Sequence, residues 1–185
     1  MEAFETLVAA LLERKGYWTR VSVKVELTKE EKRKIGRPSA PRWELDVIAY
    51  KAATNELYVV ECKSYLDSTG VKLSSFDGSN EKGAARYKLF NDLTLRRVVF
   101  NRLSLQLVEA GFCPSKPKIT LCLAAGNTYQ DASLLRQHFE RNDWVLWDGD
   151  WVRRELAELS KSGYDNTVAA IVSKLLLRPP KTTIK

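Results

Sequence analysis

Three side chains in the stretch ELDVIAYKAATNELYVVECKSY, residues 44–65, have the types and spacing for chemistry on a phosphate: Asp46, Glu61 and Lys63. Two apolar-rich runs flank a short polar turn, the pattern of a buried β-hairpin. Side chains two apart on a strand share a face, so Glu44 goes with Asp46 and Glu61 with Lys63. With AATN as the turn, residue 51 pairs with residue 56, and the register sets Asp46 opposite Glu61 and Glu44 opposite Lys63. Facing carboxylates repel at Cβ separations of about 4.5–5.5 Å. A divalent cation between them removes that cost, and Mg²⁺ is held through one or two carboxylates while keeping several waters. Lys63 beside it then orients or deprotonates an attacking water, or stabilises charge on a phosphoryl oxygen. The plainer alternative is a surface ion pair of Lys63 with Glu44 or Glu61, which leaves Asp46 without a partner.

Composition narrows the chemistry further. His138 is the sole histidine, which argues against His-rich zinc sites, a Ser-His-Asp triad and a histidine general base of the HNH type. Cys62, Cys113 and Cys122 lie far apart with no CxxC pair, so reduced, partly buried thiols are expected. The formal net charge is +7, and residues 14–42 carry ten Lys and Arg against three Glu, so this one segment accounts for the whole excess. Clustered cations suit a polyanion, because each phosphate neutralised releases condensed counterions. A solvated basic loop is the alternative.

The elements that must position these groups read as one domain over residues 1–177 with a flexible tail at 178–185. Phe4, Leu7, Val8, Leu11 and Leu12 fall at helical spacing before Gly16. Val21, Val23, Val25 and Leu27 alternate as on one face of a half-buried strand. TKEEKRKIGRPSAPR reads as an exposed loop, and its IGRPS resembles the Gly-Arg-Pro core of minor-groove hooks. After the hairpin comes a second loop, then a long helical pattern from about 84 to 109, with Arg96, Arg97 and Arg102 facing either DNA or solvent. KITLCLAAG is a strand covered on both faces. A helix, the strand WVLW and two late helices follow, and Trp144, Trp147 and Trp151 are expected in core or dimer packing. The order predicts an α/β sandwich around a mixed sheet. No apolar stretch approaches the roughly 20 residues of a membrane span, and acidic residues interrupt the start, unlike a signal peptide, so a cytoplasmic protein is expected.

ELD at 44–46, a turn and VVECK at 59–63 resemble the active-site hairpin of the PD-(D/E)xK nuclease superfamily, the restriction-endonuclease-like fold. FETLVAALLERKGY is similar to the helix preceding the sheet in its Mrr-type and resolvase-like members. VLWDGDWVRREL resembles their late strand, Asp-Gly turn and helix. The resemblance covers about residues 1–65 and 119–160; Leu45 replaces the proline of the motif's name, and region 66–118 has no counterpart in it. It implies a Mg²⁺-dependent DNA endonuclease, with Mn²⁺ able to substitute, that hydrolyses phosphodiester bonds by metal-activated water. Asp46, Glu61 and the Cys62 backbone carbonyl would bind the metal, Lys63 would assist the water, and Glu5 would be the helix-borne carboxylate, with Glu2 second choice. Lys32, Arg33, Lys34, Arg37 and Arg42 would hold duplex or branched DNA. A non-cleaving nucleic-acid-binding module of the same fold and an RNA-processing nuclease are the alternatives, and a homodimer is left open.

Overall fold

The computed structural model describes residues 2–39, 42–130 and 132–179. The elements run α1 (Ala3–Arg14), β1 (Trp18–Val25), α2 (Lys29–Lys34), β2 (Trp43–Lys51), β3 (Glu56–Lys63), α3 (Glu81–Ala84), α4 (Lys88–Asn91), α5 (Leu93–Glu109), β4 (Lys118–Ala125), α6 (Ser133–Arg141), β5 (Val145–Trp147), α7 (Gly149–Lys161) and α8 (Val168–Leu177). Among the described residues five strands form one open sheet in the order β1-β2-β3-β4-β5. The first three are antiparallel neighbours, whereas β3, β4 and β5 run parallel. Among the described residues no helix is long and apolar enough to cross a membrane.

Helices cover both faces of this mixed sheet, as the element order predicts. On one face Val8, Ala9 and Leu12 of α1 join Val47, Ala49, Val60, Cys62, Cys122 and Ala124 in one buried cluster. On the other, Leu95, Val99, Leu103 and Leu107 of α5 share a cluster with Ile48, Tyr50, Leu57, Val59, Leu121 and Leu123. Each fully buried Leu or Val stabilises the fold by about 1.5–3 kcal/mol. Region 66–118 thus supplies, through its main helix, one of the two layers that sandwich the sheet. A smaller cluster of Leu11, Val152, Leu159 and Ala170 seats α7 and α8 beside α1.

Four sequence expectations change. The segment after β1 is not all loop: Thr28 and Glu31 form a reciprocal capping box that starts α2. Gly36, at φ +66°, ends it, with the Gly36 and Arg37 amides donating back to Arg33 and Lys32. That gives the Gly-Arg of IGRPS a helix-stop role. The helix expected from 84 to 109 breaks into α3, α4 and α5: Tyr87 leaves helical backbone before α4, and Asp92 adopts extended backbone before α5, its carboxylate capping Leu95 N–H at 2.8 Å. In the tail, the Arg178 guanidinium donates to the Ser160 carbonyl at 2.9 and 2.6 Å, so the chain is still anchored there. Residues 180–185 of the expected flexible tail lie outside the described residues.

The fourth change bears on the site. Val21 packs into the α1-side cluster, while Val23 and Val25 belong to the α5-side cluster. In β2, Leu45 lies on the α5 side and Val47 on the α1 side. Both strands thus swap faces at one level, between the pairs Val21↔Val47 and Val23↔Leu45. At that level Ser22 has φ +52°, a left-handed conformation rare for a residue with a side chain. Asp46 lies at the same level, so the two-residue alternation that would put it on one face with Glu44 breaks there.

Candidate active site

The hairpin register is the expected one as far as pairing extends: Lys51↔Glu56, Tyr50↔Leu57, Ala49↔Tyr58, Ile48↔Val59 and Val47↔Val60. Pairing stops there, just before Asp46 and Glu61. Instead of a backbone carbonyl, the Asp46 side chain completes the edge: its Oδ2 accepts from the Cys62 N–H at 2.7 Å. Glu61 Oε1 accepts from Lys63 Nζ at 2.7 Å, and both side chains are about a fifth to a quarter exposed (21% and 25%). Glu44 does not meet Lys63; it is exposed and paired in register with Lys24 of β1. The plainer ion-pair alternative is thus present as Lys63–Glu61, and Asp46 has a partner in the Cys62 amide.

Charge remains out of balance. Burial raises the Asp46 carboxyl above its usual range, and the Glu61 carboxylate adds to this. The Cys62 N–H and the Lys63 ammonium oppose the rise, and the field of Glu2 reinforces it. For Lys63, burial works against the ammonium but Glu61 outweighs it, first by its field and then by the hydrogen bond, so the group is held above its usual range. Burial pushes the Cys62 thiol up, and Asp46, Glu5 and Glu61 push it further. These mutual influences gather Glu5, Asp46, Glu61 and Lys63 around Cys62.

Glu5 is buried and already employed. Its Oε2 accepts from the Glu2 N–H at 3.2 Å in the α1 capping box. Among the described residues no group of three or more His, Cys, Asp or Glu is arranged to hold a metal ion. A site of two carboxylates is nevertheless what Mg²⁺ commonly uses. Asp46 Oδ1 and Glu61 Oε2 carry no protein hydrogen bond among the described residues, and the elevated Asp46 carboxyl marks a place where a cation would relieve repulsion. Asp46 and Glu61 therefore fit a hard divalent ion, while Glu5 serves the helix start.

Two tyrosines flank the pair and were not singled out by sequence. Tyr65, at φ +45°, follows Lys63 by two residues and packs against the core cluster that contains buried Tyr87. The strand exit is pinned: a Cβ on Gly126 would collide with the Ser64 carbonyl, and Gly126 N–H donates to the Lys63 carbonyl at 3.0 Å. The spacing of Tyr65 from Lys63 was a usable signal; Tyr87 arrives only through tertiary packing.

The basic segment shares the sheet edge with these groups. Because β1 runs antiparallel to β2, its end and α2 lie where β2 begins and β3 ends. Arg33 and Lys34 are exposed, and Lys32 is half-buried. Arg37 stacks over Trp43 at 5.6 Å, and Arg42 pairs with Glu26 at 2.8 Å. The α2 helix is tied to α5 by a forked Arg102–Glu31 pair with three bonds of 2.9–3.1 Å. Arg96 donates to the Leu89 and Phe90 carbonyls and lies over Trp144, so both arginines have structural partners. Trp147 stacks on Trp151 at 5.0 Å, and Trp144 packs on Phe90 and Phe139, in line with core packing.

No protein-family model matches the chain, and no curated protein does. Among solved structures, the chain is similar to a crystal structure described as "Protein of Unknown Function AF1548", at 15% identity and a TM-score of 0.50, over 94% of this chain and 77% of that one. That likeness concerns the fold: an α/β molecule with a five-stranded mixed sheet flanked by helices.

Proposed function

We propose that this protein is a Mg²⁺-dependent DNA endonuclease of the restriction-endonuclease-like type. The observation that carries the reading is the convergence of Asp46, Glu61 and Lys63 at the unpaired end of the β2–β3 hairpin, with two carboxylates against one ammonium. Mg²⁺ held by Asp46, Glu61 and the Cys62 carbonyl would polarise a phosphoryl oxygen and acidify a water.

The chain's own groups have separable roles in this reading. The Cys62 N–H fixes one oxygen of Asp46, and the other, without a protein hydrogen bond among the described residues, would be the one to meet the metal. Glu61 holds Lys63 beside it and keeps it protonated. An amine held above its usual range is a poor base at neutral pH, so Lys63 serves as a donor to a charged phosphoryl oxygen and not as the group that deprotonates water. The exposed cations of α2, on the same edge, hold the flanking backbone.

A non-cleaving module of the same fold has one observation in its favour: each carboxylate already has an internal partner. Incubating the protein with plasmid, linear duplex, a four-way junction and RNA, in Mg²⁺, Mn²⁺ or EDTA, separates the readings. Metal-dependent cutting of DNA that Asp46→Asn and Glu61→Gln both lack supports the endonuclease. Nucleic-acid binding without cutting under every metal condition supports the module, and preferential cutting of RNA moves the substrate to that polymer.

A further inference from the structure

A second polar site opens at the other end of the same sheet edge. A cavity of about 290 Å³ lies at the carboxyl ends of β4 and β5, between the loop after β4 and the start of α7. Its volume is near the lower end of the ~300–1,000 Å³ range of ligand pockets. Its walls are almost wholly polar, drawn from Gly126, Gln130, Arg136, Asp148, Asp150 and Arg153 among others. Such a lining offers no surface for stacking a base or seating an apolar molecule, and suits a sugar-phosphate backbone.

Two guanidiniums are presented there in different ways. Arg136 is locked: its Nε donates to buried Asp148 at 2.7 Å, and its Nη2 contacts Asp148 and, at 3.3 Å, Asp150. Asp148 also caps α7 by accepting from Trp151 N–H at 3.0 Å, so it is fully employed. Arg153, in contrast, is 72% exposed and has Asp150 as its anion at 3.0 Å. Asp150 is itself exposed and shared between both arginines. It is a replaceable anion held by two forks that match phosphate geometry. Gly149 is required at this junction, because a Cβ there would come within 2.5 Å of the Gly126 carbonyl.

The cavity adjoins the hairpin through the backbone. Lys63 pairs with Ala125, and the next residue, Gly126, donates to the Lys63 carbonyl. Neighbouring strands are spaced about 4.8 Å apart, so β4 and β5 lie roughly one and two strand spacings from Lys63. Resting on the endonuclease reading, we propose that this cavity holds the sugar-phosphate backbone of the substrate strand beside the bond presented at Lys63, a phosphate replacing Asp150 on Arg153.

Replacement makes opposite predictions for two exposed neighbours. Equilibrium binding of duplex and single-stranded oligonucleotides, in EDTA and over a salt series, is measured for the full chain and for Arg153→Ala and Asp150→Asn. Arg153→Ala weakens binding and flattens the logarithmic salt dependence on duplex by about 0.9. Asp150→Asn removes the competing anion and tightens binding by about two- to fivefold at low salt, the range of an exposed ion pair. Two variants that bind like wild type, or that weaken binding alike, overturn the proposal. Cleavage in Mg²⁺ is read on the same samples. Normal cutting with unchanged binding by both variants removes the cavity and leaves the endonuclease standing. The opposite-signed binding shifts without any cutting keep the cavity and remove the endonuclease. No binding of any oligonucleotide by the wild type removes both.

Discussion

The hairpin end and the start of α7 both pair acidic with basic side chains on one sheet edge, yet their charge balance differs. At the hairpin, Asp46 and Glu61 face one ammonium, and the Asp46 carboxyl is pushed up by burial and by Glu61. At α7, Asp148 and Asp150 face Arg136 and Arg153, and the Asp150 carboxyl is held below its usual range by Arg153 and then Arg136. An unbalanced site is completed by an added cation; a balanced one accepts an anion only by exchange. The pairs also differ in origin, since Lys63 reaches Glu61 along one strand whereas Arg136 reaches Asp148 between α6 and the β5–α7 junction.

The contrast is broken most directly by neutralising the acids. Asp46→Asn and Glu61→Gln, each read in the plasmid assay, are expected to lower cleavage by about a hundredfold or more while oligonucleotide binding is kept. Either mutant retaining full cleavage would show that the unbalanced end is not the chemical one.

Stability separates the two ends next. Asp148→Ala loses a helix cap and leaves Arg136 without its buried partner, so a loss of about 2 kcal/mol is expected by urea unfolding. Without metal, Asp46→Asn should be no less stable than wild type, because it relieves the repulsion from Glu61 and keeps an oxygen for the Cys62 N–H. A large loss in Asp46→Asn would make that carboxylate structural.

The face swap opposite Asp46 gives a smaller effect. At φ +52°, Ser22→Val is expected to cost about 1–2 kcal/mol, and Ser22→Gly to be neutral or stabilising by up to about 1 kcal/mol. Equal melting temperatures for both variants would mean the backbone there relaxes to an ordinary strand.

The smallest effect is a pH slope. Because the folded-state pKa of Asp46 is raised, the native state binds its proton more tightly than the unfolded chain does. Its contribution to stability is therefore present at low pH and lost as pH rises from the ordinary carboxyl range, near 3.8, through the raised value. Glu31 has the opposite sign: burial opposes its charge, but Arg102 and the Thr28 cap lower its pKa, so its contribution is lost as pH falls below the usual 4.5. Comparing melting temperature against pH for wild type, Asp46→Asn and Glu31→Gln should show the two slopes removed in opposite directions. Parallel curves for Asp46→Asn and wild type would contradict the raised carboxyl.

Much of the frame was legible in the chain itself. The α1 periodicity, the β4 apolar run and the AATN turn encode their elements locally, so the hairpin register followed without tertiary information. The Thr28-to-Glu31 capping box was also written in the sequence, but the Pro and Gly beyond it favoured a loop reading. Asp92 similarly ended one helical run and began another within a pattern whose apolar spacing looked continuous.

By itself the sequence determined which acids and lysine lie near the end of one hairpin, because strand periodicity and turn length act over a few residues. Only the tertiary structure decided what each of them touches. The face swap at Ser22 and Asp46 arises where two strands pack between two helical layers, and it sends Asp46 to the Cys62 amide instead of keeping it beside Glu44. The junction of Gly126 with Gly149, and with it the arginine-lined cavity, depends on backbone contact between segments over twenty residues apart. Local spacing carries no information about such contacts, since they are set by how closely the layers pack.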